Sequence, residues 1–147
     1  MKNLTEIITF LEDVLGKTAA EAFDENLEEL TYFVRSEALN NIEITESKMR
    51  GRLKRLSEGI LLASIKRYLN ENYADDYGDV EVNVGRNEGV YDRNMQPISA
   101  IEKIRKFQRE IISIIVSRCM IEFSKGRELA KILEDRCMEK NEPTPKD

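Results

Sequence analysis

Residues 111–121 read IISIIVSRCMI, and this stretch decides the fold. Eight of its 11 residues are apolar, so the helix that it predicts is apolar on nearly every side. Such a helix lies at the centre of a bundle, because all of its sides need to be covered. The stretch is too short to cross a membrane, which takes roughly 18 or more consecutive apolar residues. The sequence therefore predicts an all-α bundle around this helix.

Two long helices are predicted, and the central stretch belongs to the second of them. That helix begins after Pro97 with a capping box, Ser99 and Glu102, and continues to about Met138. The first long helix begins near Thr45 and reaches about Tyr73. We expect the two long helices to be antiparallel.

Three shorter helices are predicted before residue 45. Asn3 and Glu6 form a capping box for the first helix, and Gly16 ends it. A second capping pattern at Thr18 predicts a short helical turn that extends to Phe23. Asp24 then begins a third helix, which ends at Asn40 and Asn41. The fold prediction is therefore a helical bundle of about five helices.

The segment between the long helices breaks the helical pattern. Alternating valines from Val80 to Val84 precede the glycines Gly85 and Gly89, which predicts a short β-hairpin-like or disordered insertion at residues 74–98. Residues 1–138 are expected to form one helical domain. Residues 139–147 contain two prolines and are expected to form a disordered tail.

Several function classes are excluded by composition. The chain has no histidine, which removes Ser-His-Asp and Cys-His catalysis and every histidine metal site. Cys119 and Cys137 have no metal-like spacing and are interpreted as core residues. No glycine-rich phosphate loop, secretory signal or membrane span is present, so we expect a cytoplasmic protein without a small-molecule cofactor.

The charge is unevenly distributed, although the net charge is −5. Residues 1–47 hold 3 basic and 11 acidic side chains, whereas residues 48–73 hold 7 basic and 2 acidic ones. On a helical projection the basic segment divides into two neighbouring faces. The expected core face consists of Met49, Leu53, Leu56, Ile60 and Ala63. The neighbouring basic face consists of Lys48, Arg52, Arg55, Gly59 and Lys66.

That basic face has three interpretations. A nucleic-acid backbone would bind to such a row, and Gly59 would allow close approach. An acidic protein surface would also fit, and so would plain solvation of the charges. The second long helix carries a weaker basic row, Arg105, Lys106 and Arg109. If the two long helices pack side by side, the two rows are expected to form one nucleic-acid-binding surface.

Arg118 occupies an unusual position. It lies in a row of apolar residues with helical spacing, Ile104, Phe107, Ile111, Ile114 and Ile121, and is therefore expected in a core position. A buried arginine needs an internal carboxylate or a partner chain. Arg118, Ile111, Ile114 and Ile121 are accordingly the predicted interface residues.

These features favour a non-catalytic accessory or scaffold subunit of a larger assembly. We expect a protein partner or self-association, with nucleic-acid contact through the basic helix face. One alternative is a homodimeric protein-interaction module without a nucleic-acid role. The other is a metal-dependent enzyme that uses the acidic side chains of residues 75–92, although their order matches no EF-hand or nuclease pattern.

Overall fold

The computed structural model describes residues 1–77 and 96–141, and the side chains of residues 1–73 and 96–137. Those ranges form four helices: α1 (Leu4–Leu15), α2 (Lys17–Asn40), α3 (Glu46–Tyr77) and α4 (Ser99–Asn141). Each helix contacts the other three. The predicted all-α bundle is confirmed, and the described ranges contain no strand. None of these helices has the length and apolarity needed to cross a bilayer.

Local interactions and backbone conformation explain where α1 begins and ends and where α3 begins. The side chain of Asn3 accepts from the backbone N–H of Glu6 at 2.9 Å and caps α1. Gly16 ends α1 with a φ of +92°, a conformation that favours glycine. The hydroxyl of Thr45 accepts from the N–H of Lys48 at 3.1 Å, as expected for the residue before α3.

The predicted count of five helices is not confirmed, because residues 17–40 form one continuous helix. The capping patterns at Thr18 and Asp24 do not interrupt α2. Its buried residues follow one helical face from end to end: Ala19, Ala20, Phe23, Leu27, Leu30, Val34 and Ala38. Packing of this face outweighs the local preference of Thr18 and Asp24 for helix ends.

The bundle runs alternately up and down. α1 is antiparallel to α4, because the amine of Met1 lies 3.2 Å from Glu110 while Phe10, later in α1, meets Phe107. α2 is parallel to α4, because Arg35 pairs with Glu122 and, three residues later, Ala38 faces Gly126. Arg127 of α4 donates to the backbone oxygens of Asn41 and Ile44 just before α3, whereas Glu58, later in α3, shares a depression with Gln108, earlier in α4, so these two long helices are antiparallel.

The buried face of α3 differs from the predicted one. It advances by four residues at a time through Met49, Leu53, Ser57, Leu61, Ile65 and Leu69, with Ser64 also buried. Leu56 is 41% exposed and Ala63 is exposed, although both were expected in the core. Steps of four residues rotate about 40° around a helix each time. The buried face therefore winds around α3 and does not stay on one arc.

α4 is central only over part of its length. Its buried residues include Ile104, Ile111, Ile115, Cys119 and Phe123. The helix continues without interruption through Gly126. Residues 131–137 are all exposed.

Two sequence predictions lie mainly outside the described residues. The hairpin-like insertion falls largely on residues 78–95, and the last part of the predicted tail falls on residues 142–147. Where these predictions overlap the described residues, the structure is helical: α3 extends to Tyr77, inside the predicted insertion, and α4 extends to Asn141, inside the predicted tail.

Candidate functional site

Three connected depressions lie along the exposed side of α4, and we call them together the α4 groove. The first is formed with the start of α1, the second and third with the first half of α3. Ser117 lines all three, so they form one continuous surface. Their volumes are about 680, 460 and 570 Å³, each within the usual range of ligand sites.

The α4 groove is rich in positive charge. Its lining includes six basic side chains, Lys2, Arg50, Lys54, Arg109, Arg118 and Lys125, and two carboxylates, Glu58 and Glu128. All six basic residues are exposed. Within the described part of the chain, Arg118 is the one of the six with an ion pair to another side chain. Several positive charges in a concave surface attract anions more strongly than scattered ones do.

Hydroxyl groups lie between these charges. Ser113, Ser117 and Ser124 are exposed in the floor of the groove, and Thr5 lines its α1 side. Serine and threonine side chains, like those of lysine and arginine, commonly bind phosphate oxygens of nucleic acids. The arrangement therefore suits an anion that accepts hydrogen bonds along an extended path.

A charge cluster around one buried carboxylate lies next to the groove. The carboxylate of Glu122 is 8% exposed; the Nε of Arg35 on α2 donates to it at 2.9 Å. Arg118, one turn before Glu122, lies 3.8 Å from its other oxygen. The hydrogen bond from Arg35 holds the pKa of Glu122 below its usual value and raises the pKa of Arg35. This cluster ties α2 to α4 and positions Arg118 at the groove.

Cys119 lies on the buried side of the same helical turn. Burial is the main reason that the pKa of its thiol is raised to about 11, and the nearby Glu122 carboxylate adds to the effect. A thiol with that pKa is protonated at neutral pH and is a poor nucleophile. Cys119 is buried, as predicted, whereas Cys137 is exposed, contrary to its interpretation as a core residue.

The basic residues predicted on α3 lie outside the groove. Lys48, Arg52, Arg55 and Gly59 are exposed, and Lys66 is half-buried. Arg52 lies 3.5 Å from Glu37 of α2, so part of this row is paired within the molecule. A Cβ atom at Gly59 would meet nothing within 4 Å, which leaves this side of α3 open to approach.

The three basic residues predicted on α4 are separated by the structure. Arg109 lines the groove with Arg50 and Lys54. Arg105 is largely buried and pairs with Glu102, and Lys106 lies over the ring of Phe107 at 5.7 Å. The long helices do pack against each other, but they bring Arg109 to Arg50 and Lys54 and leave the predicted α3 row on another side.

The predicted interface residues are also divided. Arg118 does not occupy a core position, since its side chain is 53% exposed, and its partner Glu122 is the buried charge. Ile111 is fully buried and belongs to the core of this chain. Ile114 is half-buried and Ile121 is exposed; both line the groove beside Arg118.

Sequence reasoning missed four basic groove residues, Lys2, Arg50, Lys54 and Lys125. Arg50, Lys54 and Glu58 are spaced by four residues, so they form one row on α3. The sequence contains that row, but it does not show which side of α3 faces α4. That information depends on the winding of the buried face.

Within residues 1–73 and 96–137, no group of three or more metal-ligating side chains could hold a metal ion. The acidic side chains considered for metal binding, Asp75, Asp76, Asp79, Glu81, Glu88 and Asp92, lie outside the described side chains.

In comparisons with known proteins, no family model, no curated protein and no solved structure matches this chain.

Proposed function

We propose that this chain is a non-catalytic helical accessory subunit of a larger cytoplasmic assembly, and that it contacts the phosphate backbone of a nucleic acid through the α4 groove. The observation that carries the proposal is the joining of three depressions through Ser117, with six basic side chains and two carboxylates along them. From the sequence, the nucleic-acid contact was expected on the basic face of α3, which we call the outer row of α3: Lys48, Arg52, Arg55, Gly59 and Lys66. The main contact is now assigned to the groove.

The length of the groove favours a polymer over a small anion. Arg109 and Lys125 are 16 residues apart on α4, a distance of about 24 Å along the helix axis. One strand of duplex DNA presents a phosphate about every 3.4 Å along its axis. A single nucleotide would therefore reach one end of the groove, whereas a nucleic-acid strand would reach both.

The chemistry of the lining favours contact with the backbone over reading of bases. The groove offers lysine, arginine and serine side chains, which bind phosphates without regard to sequence. None of its lining residues is aromatic, so stacking on single-stranded bases has no support here. We therefore expect salt-dependent binding with little sequence preference.

The test is fluorescence anisotropy with a labelled 30-base-pair duplex between about 50 and 200 mM salt. Wild-type protein should bind, and the logarithm of its affinity should fall linearly with the logarithm of salt concentration. The double charge reversal Lys54→Glu with Arg109→Glu should weaken binding at least about tenfold and reduce the salt slope by about 2.

A matched control separates groove contacts from net charge. Lys103 and Lys131 are exposed on α4 and line none of the three depressions, and their reversal changes the net charge equally. Lys103→Glu with Lys131→Glu should keep the wild-type slope. An equal loss in both double variants, or no binding by wild type at low salt, contradicts the proposal. If only Lys48→Glu with Arg55→Glu weakens binding to the duplex, the contact lies on the outer row of α3 and not in the groove.

A second candidate is a homodimeric protein-interaction module without a nucleic-acid role. It is favoured by the outer face of α2, where Asp24, Glu25, Glu28 and Glu29 are exposed and would complement the groove of another copy. Such an association would weaken as salt increases. Sedimentation without nucleic acid at low and high salt tests it.

The metal-dependent enzyme remains a third candidate, based on the acidic side chains of residues 75–92. Titration calorimetry with Mg²⁺ and Mn²⁺ tests it directly, since a usable metal site would give a saturable signal.

A further inference from the structure

Residues 128–137 of α4 carry an apolar face that is left exposed in the part of the chain that the structure describes. Leu129, Ile132 and Leu133 are 46%, 48% and 46% exposed, and every residue from 131 to 137 is exposed. Helices in proteins gain most of their stability from packing of an apolar face, so a partner that covers this one would stabilise the end of α4.

The positions of this face are symmetric about the middle of the segment, although the residue types at its two ends differ. On a helical projection Leu129, Ile132, Leu133 and Arg136 share an arc of about 100°. Reversing the segment about the point between Ile132 and Leu133 exchanges these two residues, and it exchanges Leu129 with Arg136. Two antiparallel copies would therefore place apolar side chains opposite apolar side chains in the middle.

The charges favour the antiparallel direction. In a parallel pair Arg136 would lie opposite Arg136 of the other copy. In an antiparallel pair it lies beside Leu129 and Glu128 of the other copy, and both residues are exposed. Two equivalent Arg136–Glu128 contacts would then close the two ends of the apolar seam.

We propose that residues 128–137 of α4 pair with the same residues of a second copy of this chain as an antiparallel two-helix interface. The interface is small: three turns of helix bury less than the roughly 1,200 Å² of a standard interface. We therefore expect a dissociation constant in the micromolar range. The proposal does not rest on the nucleic-acid function, although Glu128 also lines one end of the α4 groove, and it predicts a dimer with a groove on each copy.

Sedimentation equilibrium of the full chain, without nucleic acid, measures this association up to about 500 µM, well above the expected constant. The variant Leu129→Glu with Ile132→Glu should raise the dissociation constant at least about 100-fold. Its matched control is Lys131→Glu, which changes the net charge by the same amount on the opposite face of the helix. The control should dimerise like wild type, and circular dichroism should show that both variants are folded.

A charge exchange tests the direction of pairing. Arg136→Glu alone and Glu128→Arg alone should each weaken the dimer, and the two together should restore it. A monomer at every concentration, or equal effects of the apolar variant and of Lys131→Glu, overturns the proposal. If each single variant weakens the dimer and the double variant does not recover it, the antiparallel register is wrong. A dimer that is lost at high salt and unaffected by Leu129→Glu with Ile132→Glu points instead to pairing of the groove with α2.

Discussion

Gly126 packs closely against Ala38 between α2 and α4, and Gly126→Ala tests whether this close packing determines stability. A Cβ at position 126 would lie 2.6 Å from the Cβ of Ala38, which is fully buried, and 3.6 Å from the carbonyl oxygen of Arg35. Carbon atoms in favourable contact are about 3.5–4.0 Å apart. Because Ala38 has no flexible end that can move away, the two helices would have to separate by about 1 Å.

Two effects of opposite sign determine the result. Alanine is better than glycine inside a helix by about 1 kcal/mol. Adding a methyl group to a filled interior costs about 1–3 kcal/mol. Because Ala38 cannot move aside, we expect a cost at the upper end of this range. The free energy of unfolding should therefore fall by about 2 kcal/mol, which lowers Tm by about 4–8 °C for a domain of this size.

The measurement is urea unfolding followed by circular dichroism at 222 nm, with Gly51→Ala as the matched control. Gly51 is exposed in α3, and a Cβ there would meet nothing within 4 Å, so this variant should gain up to about 1 kcal/mol. Adding Ala38→Gly to Gly126→Ala should recover part of the loss, because the second methyl group is removed. If Gly126→Ala is as stabilising as Gly51→Ala, the close approach of α2 and α4 is refuted.

Three further predictions follow from side chains already described. A thiol reagent at neutral pH should modify exposed Cys137 quickly and buried Cys119 only after unfolding, so Cys137→Ser should leave no fast-reacting thiol. Because the pKa of Glu122 is lowered, the stability it supplies is complete above its usual value of 4.5 and lost as the pH falls through the lowered pKa. Glu122→Gln should therefore flatten the acid side of a plot of unfolding midpoint against pH. The hydroxyl of Ser57 is buried without a hydrogen-bond partner among the described residues, so Ser57→Ala should stabilise the protein by about 1 kcal/mol in urea unfolding.

The helix ends near Asn3, Gly16, Asn41 and Thr45 were predictable because each depends on a few neighbouring residues. Local signals did not decide whether α2 is one helix or two. A capping pattern at Thr18 shows only that a helix end is permitted there, and packing over the whole helix determines whether it forms.

The candidate site was harder to predict because it depends on the faces of two helices at once. A fixed arc of apolar residues placed Leu56 in the core, whereas the structure buries Ser57, a small residue that a hydrophobicity pattern cannot select. The same error placed Arg118 in the core, whereas the structure buries its neighbour Glu122. Once the winding of both buried faces is known, Arg50 and Lys54 are seen to face α4.

The order of the helices has a consequence for synthesis of the protein. α4 contacts all three earlier helices, yet it is translated after them. While it is still inside the ribosome, the sides of α1, α2 and α3 that it will cover are open to water and to other nascent chains. Completion of the tertiary structure must therefore wait for the second half of the polypeptide, and the emerging first half is the stage at which a chaperone has most to protect.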